Sequence, residues 1–411
     1  MTAATYDLAI IGGGIGGSAL ATVMQRAGRS CLLLERTTEF PDRTKGEWIA
    51  PWGIAEAQRL GVLDVIASAR GHVIRRHVSF DPARDPDEVL ATPTELALLP
   101  GVDGPMTQRH PDACQALFDA ATAAGADARR GVEDIAIGLE PQATVTWRVD
   151  TGTHEATACI IVGADGRNSM VRRTLGFELQ KDPPHHYFSG VLVDGADGFP
   201  EELQAIGTER DVHFLVFPQG AGRVRLYLGF GLDQPKRFTG PEGPQTFVDA
   251  FHFECMPASE ALASATPVSP CATYPNEDTW VDVPVRDGVV LIGDAAGWND
   301  PITGQGQSIA LRDVRVVSEV LQASDDWTAA AFTPYVEERR ERMRRLRFGA
   351  SMQSAIFNEF GPDAAVRRLR AWDRMEAEPE LSLPVVSSMI GPELAPPEVF
   401  TDDAWRRVLD D

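Results

Sequence analysis

Gly12, Gly14 and Gly17 stand in Gly-x-Gly-x-x-Gly spacing directly after the apolar run Leu8–Ile11. Few local patterns restrict a fold as tightly. The first glycine permits a tight turn, the second lets backbone approach a pyrophosphate, and the third lets the following helix pack against the strand. Asp7–Ile11 reads as a buried strand, Ser18–Ala27 as a helix, and Ser30–Leu34 as a second strand ending at Glu35. A carboxylate about 20 residues beyond the glycines is placed to grip a ribose hydroxyl pair. The phosphates would sit at the helix N-terminus, where free N–H groups and the dipole favour negative charge. The chain is expected to bind a dinucleotide.

With 411 residues there is room for two domains. A net charge of −22 argues against nucleic acid or an anionic membrane surface as partner. Lysine occurs only at Lys45, Lys181 and Lys236, so arginine carries nearly all the positive charge. Cys31, Cys114, Cys159, Cys255 and Cys271 form no metal-ligand or Cys-x-x-Cys spacing, and no metal site is expected. Cys31 and Cys159 lie in apolar runs and read as core filling. Met1–Tyr6 leads straight into the first strand, and no apolar run approaches membrane-spanning length. A cytoplasmic protein without stable membrane insertion is expected.

Further along, Thr37–Pro51 is a polar loop holding Arg43, Lys45, Glu47 and Trp48, and Pro51–Leu60 reads as a short helix. Asp85–Gly104 has the composition of a surface excursion. A helix is expected over His110–Ala124, with Arg109 at its start. Between Gly176 and Asp287 aromatic strands dominate, at His186–Val193, His213–Phe217 and Arg223–Phe230. Val289–Ile292 returns to a buried strand, and Gly306–Leu321 is a long helix. Glu337–Arg347 reads as a solvated helix face of i, i+4 ion pairs, and the proline-rich tail after Glu378 as a surface wrap. The fold class is therefore α/β: a Rossmann-type dinucleotide domain with an inserted antiparallel-sheet substrate domain and C-terminal helices. The expected boundaries are 1–175, 176–287, 288–325 and 326–411.

Two more strand ends carry acidic turns. Cys159–Gly163 runs into Ala164-Asp165-Gly166, and Leu291-Ile292 into Gly293-Asp294. Ligands collect at such strand ends in open parallel sheets. Pro301-Ile-Thr-Gly-Gln-Gly306 then opens the long helix with its N–H groups free.

The ordered set of three motifs resembles the flavoprotein monooxygenase family typified by para-hydroxybenzoate hydroxylase, over roughly residues 5–350. The same fold serves flavin-dependent halogenases and geranylgeranyl reductases. The resemblance implies FAD, its pyrophosphate over Gly12, Gly14, Ile15, Gly16 and Gly17 and its adenosine ribose at Glu35. Arg36, Arg43, Arg109, Val132, Asp165, Gly293 and Asp294 are the further implied contacts, with Pro301, Gly304, Gln305 and Gly306 at the flavin end. Family members commonly carry Asn where this chain has Ser308, so the flavin contact there would be weaker or replaced by Gln305 or Gln307.

The family route is reduction by NAD(P)H, oxygen addition at the flavin C4a and transfer of the distal oxygen, here onto an aromatic or polyketide-like small molecule. A separate flavin reductase is an alternative source of electrons. Phe188, Phe214, Phe217, Tyr227 and Phe230 lie on the second-domain strands, and period-2 alternation turns about half of them toward the substrate. Arg225 and Tyr227 fall near positions that control flavin movement and bind substrate. His213 or Tyr227 would deprotonate a phenolic substrate. Halogenation is disfavoured, because the Trp-x-Trp-x-Ile-Pro signature is missing and no lysine lies between Lys45 and Lys181. An isoprenoid-type reductase is the stronger rival.

Overall fold

The computed structural model describes residues 4–42, 46–149 and 152–410. Its first sheet is built on five parallel strands in the spatial order Val289–Leu291, Gly152–Gly163, Ala4–Ile11, Cys31–Glu35, Asp127–Arg130. The inner strands read as apolar runs at their carboxyl ends, where both faces are covered, whereas the edge strand Asp127–Arg130 is polar. Leu8, Ile10, Leu33 and Ile160 pack under the helices Ile15–Arg26, His110–Ala123 and Gly306–Ala323, while Ala9, Ile11, Leu32 and Ile161 fill the opposite face. Ala4–Ile11 is the switch point, since the chain goes first to one side of it and later returns to the other. Register aligns Leu34, Ile11, Gly163 and Leu291 in one row. Glu35 and all three turns therefore emerge side by side at the carboxyl edge, where crevices form.

The second sheet is mostly antiparallel, in the order Thr266–Pro267, His186–Asp194, Arg223–Phe230, Val212–Gly220, Leu203–Glu209, Arg76–Phe80, Thr94–Glu95. Its last two strands come from far upstream of residue 176, so the chain crosses into this layer before the expected insertion begins. Arg76–Phe80 pairs in parallel with Leu203–Glu209 and buries Val78 and Phe80 in the sheet's core. Its polar alternation, Arg-His-Val-Ser-Phe, lacks the aromatic texture that marked the other strands.

Three surface expectations are corrected. The helix Thr333–Phe357 does form Glu338–Arg342 and Glu341–Arg345 pairs, yet Arg339 and Arg342 are buried beneath the nucleotide domain. Asp313, on the preceding long helix, supplies the charge that lets them enter. The tail does not simply wrap the surface, because its helix Leu383–Ile390 walls the main cavity. Cys159 is exposed, near the charged Asp7, Arg29 and Asp325, whereas Cys31 is core as expected. Among the described residues no helix is long and apolar enough to cross a membrane.

Candidate active site

The glycine loop divides its labour as the spacing predicts. Gly12 has φ +107°, and a Cβ there would lie 2.4 Å from the Ala164 carbonyl oxygen. A Cβ on Gly17 would come within 1.9 Å of the Gly12 carbonyl oxygen, so this position admits only hydrogen. On Gly14 a Cβ would meet nothing within 4 Å: it faces an open groove. No side chain caps the helix that follows, so its first N–H groups remain for a ligand. Glu35 is held in place by the Gly13 N–H at 2.7 Å and by the Thr37 N–H and hydroxyl, both at 2.8 Å. Val132 is buried beside it, donating its N–H to the Glu35 carbonyl at 3.2 Å, and Arg36 is exposed.

The two acidic turns are tied together. Asp165 Oδ2 accepts the N–H groups of Met170 at 2.6 Å and Val171 at 3.2 Å, while its buried Oδ1 has no partner. An unpaired buried carboxylate oxygen beside the glycine loop is an acceptor awaiting a donor. Arg172 donates to the Ala295 carbonyl at 2.9 Å and the Arg167 carbonyl at 2.7 Å, joining one turn to the other. Asp294 stands half-buried at the groove, with Arg167 Nε 3.5 Å away. Gly293 has φ +57°, and its N–H donates to Asp313 at 2.8 Å. Arg339 then donates to the carbonyls of Gly293, Ala296 and Gly297 at 3.2, 2.9 and 3.0 Å. Sequence reading missed this buried guanidinium, whose partners lie about 40 residues away.

At the third motif, Gly304 has φ +67° and lies flat on Trp48, where a Cβ would sit 2.9 Å from the indole. The Gln305 amide accepts from Trp52 Nε1 at 2.8 Å, and Gln307 accepts from Gln108 at 2.9 Å and donates to the Gly46 carbonyl. Both amides are committed to the protein. Ser308 is turned under the helix Pro51–Arg59, accepting the Ala50 N–H at 3.1 Å. The free groups at this helix start are the backbone N–H groups, again without a side-chain cap.

One cavity of about 680 Å³ joins these parts. It begins at Gly14–Gly16, passes Gly293, Asp294 and Pro301–Gly306, and opens into a chamber roofed by the second sheet. Phe188, Phe217 and Tyr227 line it, whereas Phe214 and Phe230 point into the sheet's other core. Its volume falls within the roughly 300–1,000 Å³ of small-molecule sites.

Arg109, Arg225 and His213 come out differently, and one expected contact is not described. Arg43 lies outside the described residues. Arg109 does not line this cavity: Asp42 holds its guanidinium at 3.0 Å and Asp112 at 3.4 Å, over a second cavity of about 440 Å³. Arg225 is fully buried in a bidentate pair with Glu47, at 2.7 and 2.9 Å. It ties the loop before Trp48 to the roof sheet, and it is Glu47 that reaches the cavity. His213 is fully buried between Phe188 and Phe357, with Nδ1 2.8 Å from the Gly207 carbonyl, and does not line the cavity. Tyr227 does line it, but burial raises its pKa well above 10, so the phenol keeps its proton and acts as a donor. Neither proposed base is therefore suited to take a proton from substrate.

His213 instead governs acid stability. Burial lowers its pKa from 6.5 to about 3, so the folded protein excludes a proton that the unfolded chain accepts. Stability from this group is complete above about pH 6.5 and is lost as pH falls toward the folded value. Asp278, raised to about 7 by burial and by Asp300, works in the opposite direction over part of the same range. The His213 share is thus read as a difference. Between pH 6.5 and 5, wild type should lose roughly 1–2 kcal/mol more than His213→Phe in denaturant unfolding. Parallel pH profiles would contradict this.

A glycine cradle, an acidic ribose clasp and two acidic turns on adjoining parallel strands define a dinucleotide-binding protein of the flavin type. The chain belongs to the FAD binding domain family, whose model matches residues 5–347. FAD is the cofactor, and the protein is an FAD-dependent oxidoreductase. It is 26% identical over 367 residues to a 3-hydroxybenzoate 6-hydroxylase of Klebsiella oxytoca, covering 88% of this chain and 91% of the relative. Identity is also 26% over 333 residues to the squalene monooxygenase of Rattus norvegicus, covering 78% of this chain and 55% of that protein. A digeranylgeranylglycerophospholipid reductase of Methanopyrus kandleri is 26% identical over 408 residues, with 90% and 91% covered. Among solved structures, p-nitrophenol 4-monooxygenase PnpA from Pseudomonas putida superposes with a TM-score of 0.77 at 18% identity, over 94% of this chain and 97% of that one. Klebsiella pneumoniae HpxO complexed with FAD and uric acid gives 0.75 at 22% identity, over 95% and 97%.

Proposed function

We propose that the protein is an NAD(P)H- and oxygen-dependent FAD monooxygenase that hydroxylates, or epoxidises, an aromatic or polyketide-like small molecule in the cytoplasm. The observation that carries this reading is the single cavity running from the nucleotide cradle into an aromatic chamber. FAD, when bound, supplies the two-electron and dioxygen chemistry that no side chain offers. Gly12–Gly17, Glu35, Asp165 Oδ1, Asp294 and the N–H groups after Gly304 would hold it: the groove at Gly14 is open, Asp165 Oδ1 lacks a partner, and Glu35 is fixed in place by Gly13 and Thr37. The N–H groups at Gly306 place a helix dipole's positive end at the cavity, favouring negative charge there. Phe217, Tyr227 and the tail helix close the chamber with mostly apolar surface, which keeps water from a reactive centre. Tyr227 and Tyr274, the latter raised to about 12 by burial, stay protonated and donate hydrogen bonds to bound substrate.

A reductase of isoprenoid double bonds is the second reading, favoured by the greasy chamber and by the resemblance to the archaeal reductase. Oxygen separates the two. The purified protein should be yellow and should consume NADPH or NADH and dioxygen together when an aromatic acceptor is added. Turnover that ignores oxygen would favour the reductase. Failure of both nicotinamides to bleach the flavin would point to a separate flavin reductase.

A further inference from the structure

One wall of the chamber carries a chain of hydrogen bonds whose direction is set by chemistry alone. Trp48 Nε1 can only donate, and it lies 3.0 Å from Gln204 Oε1. That fixes the Gln204 amide, so its NH₂ faces His77 Nδ1 at 3.2 Å. His77 Nδ1 must then accept, which places the proton of the neutral ring on Nε2. Nε2–H in turn points at Ser79 Oγ, 3.1 Å away. With its oxygen accepting from His77, the Ser79 hydroxyl has its own proton left to give. All four residues line the cavity, and no further protein partner of the Ser79 hydroxyl is found among the described residues.

Strand register builds this relay. Gln204 pairs with His77 across the parallel strands, and His77 and Ser79, two apart, share a face while Val78 and Phe80 fill the core behind. Charging His77 would require turning the Gln204 amide and losing Trp48. Burial agrees, lowering the His77 pKa to about 4. The wall therefore offers a polarised but uncharged donor. No cation takes part in this relay. Among the described lining residues the guanidinium groups are Arg167, beside Asp294, and Arg84, exposed and stacked on Trp372 at 5.2 Å. Arg225 is held by Glu47.

We propose that the chamber selects an uncharged, broad apolar substrate carrying a neutral acceptor oxygen, a ketone or quinone carbonyl, which docks on the Ser79 hydroxyl. This rests on the small-molecule oxygenase reading and sharpens its substrate class. A carboxylate would also accept the bond, but it would bury a charge against a relay whose members are all neutral.

The test uses the oxidised, flavin-loaded protein and three matched probes: 2-acetylnaphthalene, 2-ethylnaphthalene and 2-naphthoate. Binding is read from perturbation of the flavin absorbance spectrum, so it needs neither reductant nor turnover. Wild type should bind the ketone about tenfold more tightly than the hydrocarbon, and 2-naphthoate most weakly. Ser79→Ala should remove the ketone's advantage and leave hydrocarbon binding unchanged. Naphthoate binding as tightly as the ketone, an equal preference in Ser79→Ala, or no binding by any probe would overturn the proposal. The wild-type ranking alone decides the matter if the variant misfolds. If the ranking holds while oxygen consumption never couples to NADPH, the oxygenase reading fails and the docking assignment stands.

Discussion

Gly14→Val is expected to purify folded but colourless. The first carbon of the side chain has room, since a Cβ at Gly14 meets nothing within 4 Å beyond its chain neighbours. That room is the groove itself, so the side chain occupies the path of the pyrophosphate. Filling it should weaken FAD by about a hundredfold or more, the scale set by forcing extra methyl groups into a fitted site. The measurements are the flavin-to-protein absorbance ratio and a thermal melt of the apoprotein compared with wild type stripped of FAD. Gly17→Val is the control, because a Cβ 1.9 Å from a backbone oxygen leaves no folded solution. Full flavin occupancy in Gly14→Val would show that the phosphates lie elsewhere.

Arg339→Ala should cost about 3–5 kcal/mol of stability and also reduce FAD affinity. The guanidinium is buried and makes four bonds, to three carbonyls of the Gly293–Gly297 turn and to Asp313. Removing it leaves those carbonyls unpaired in the interior, while Asp313 keeps Arg342 at 2.6 Å. The turn that presents Asp294 then loses its back support. Denaturant unfolding of the apoprotein gives the first effect, and titration with FAD gives the second. Arg339→Lys should recover only part of each, since one ammonium cannot reach the same set of carbonyls. Unchanged FAD binding in a destabilised Arg339→Ala would limit this residue to a purely structural role.

The nucleotide end was legible because its information is local. A strand, a turn and a helix lie within about 30 residues, and glycine reports its own backbone conformation. Glu35, Asp165 and Asp294 could be placed because each lies at the end of its own strand or within three residues of it. What escaped depends on partners distant in sequence. The buried state of Arg339 needs Asp313, and Arg225 needs Glu47, 178 residues away. Arg76–Phe80 belongs to the second sheet only through Leu203–Glu209. His213 is instructive, since its parity matches Leu215 and Phe217, which do line the cavity. Its strand position puts it on the cavity face, but the end of the helix Thr333–Phe357 covers that part of the strand with Phe357. Periodicity tells which way a side chain points, and tertiary packing decides whether anything stands in front of it.

The early crossing of Arg76–Phe80 has a consequence for how this architecture can be rearranged. Residues 176–287 cannot be lifted out as a cassette, because Leu203–Glu209 would then expose a bare, sticky margin. Nor can a roof from a relative be grafted in without also importing the strand that carries His77 and Ser79. Recombination between such proteins must therefore carry two separate stretches of the gene together, or neither.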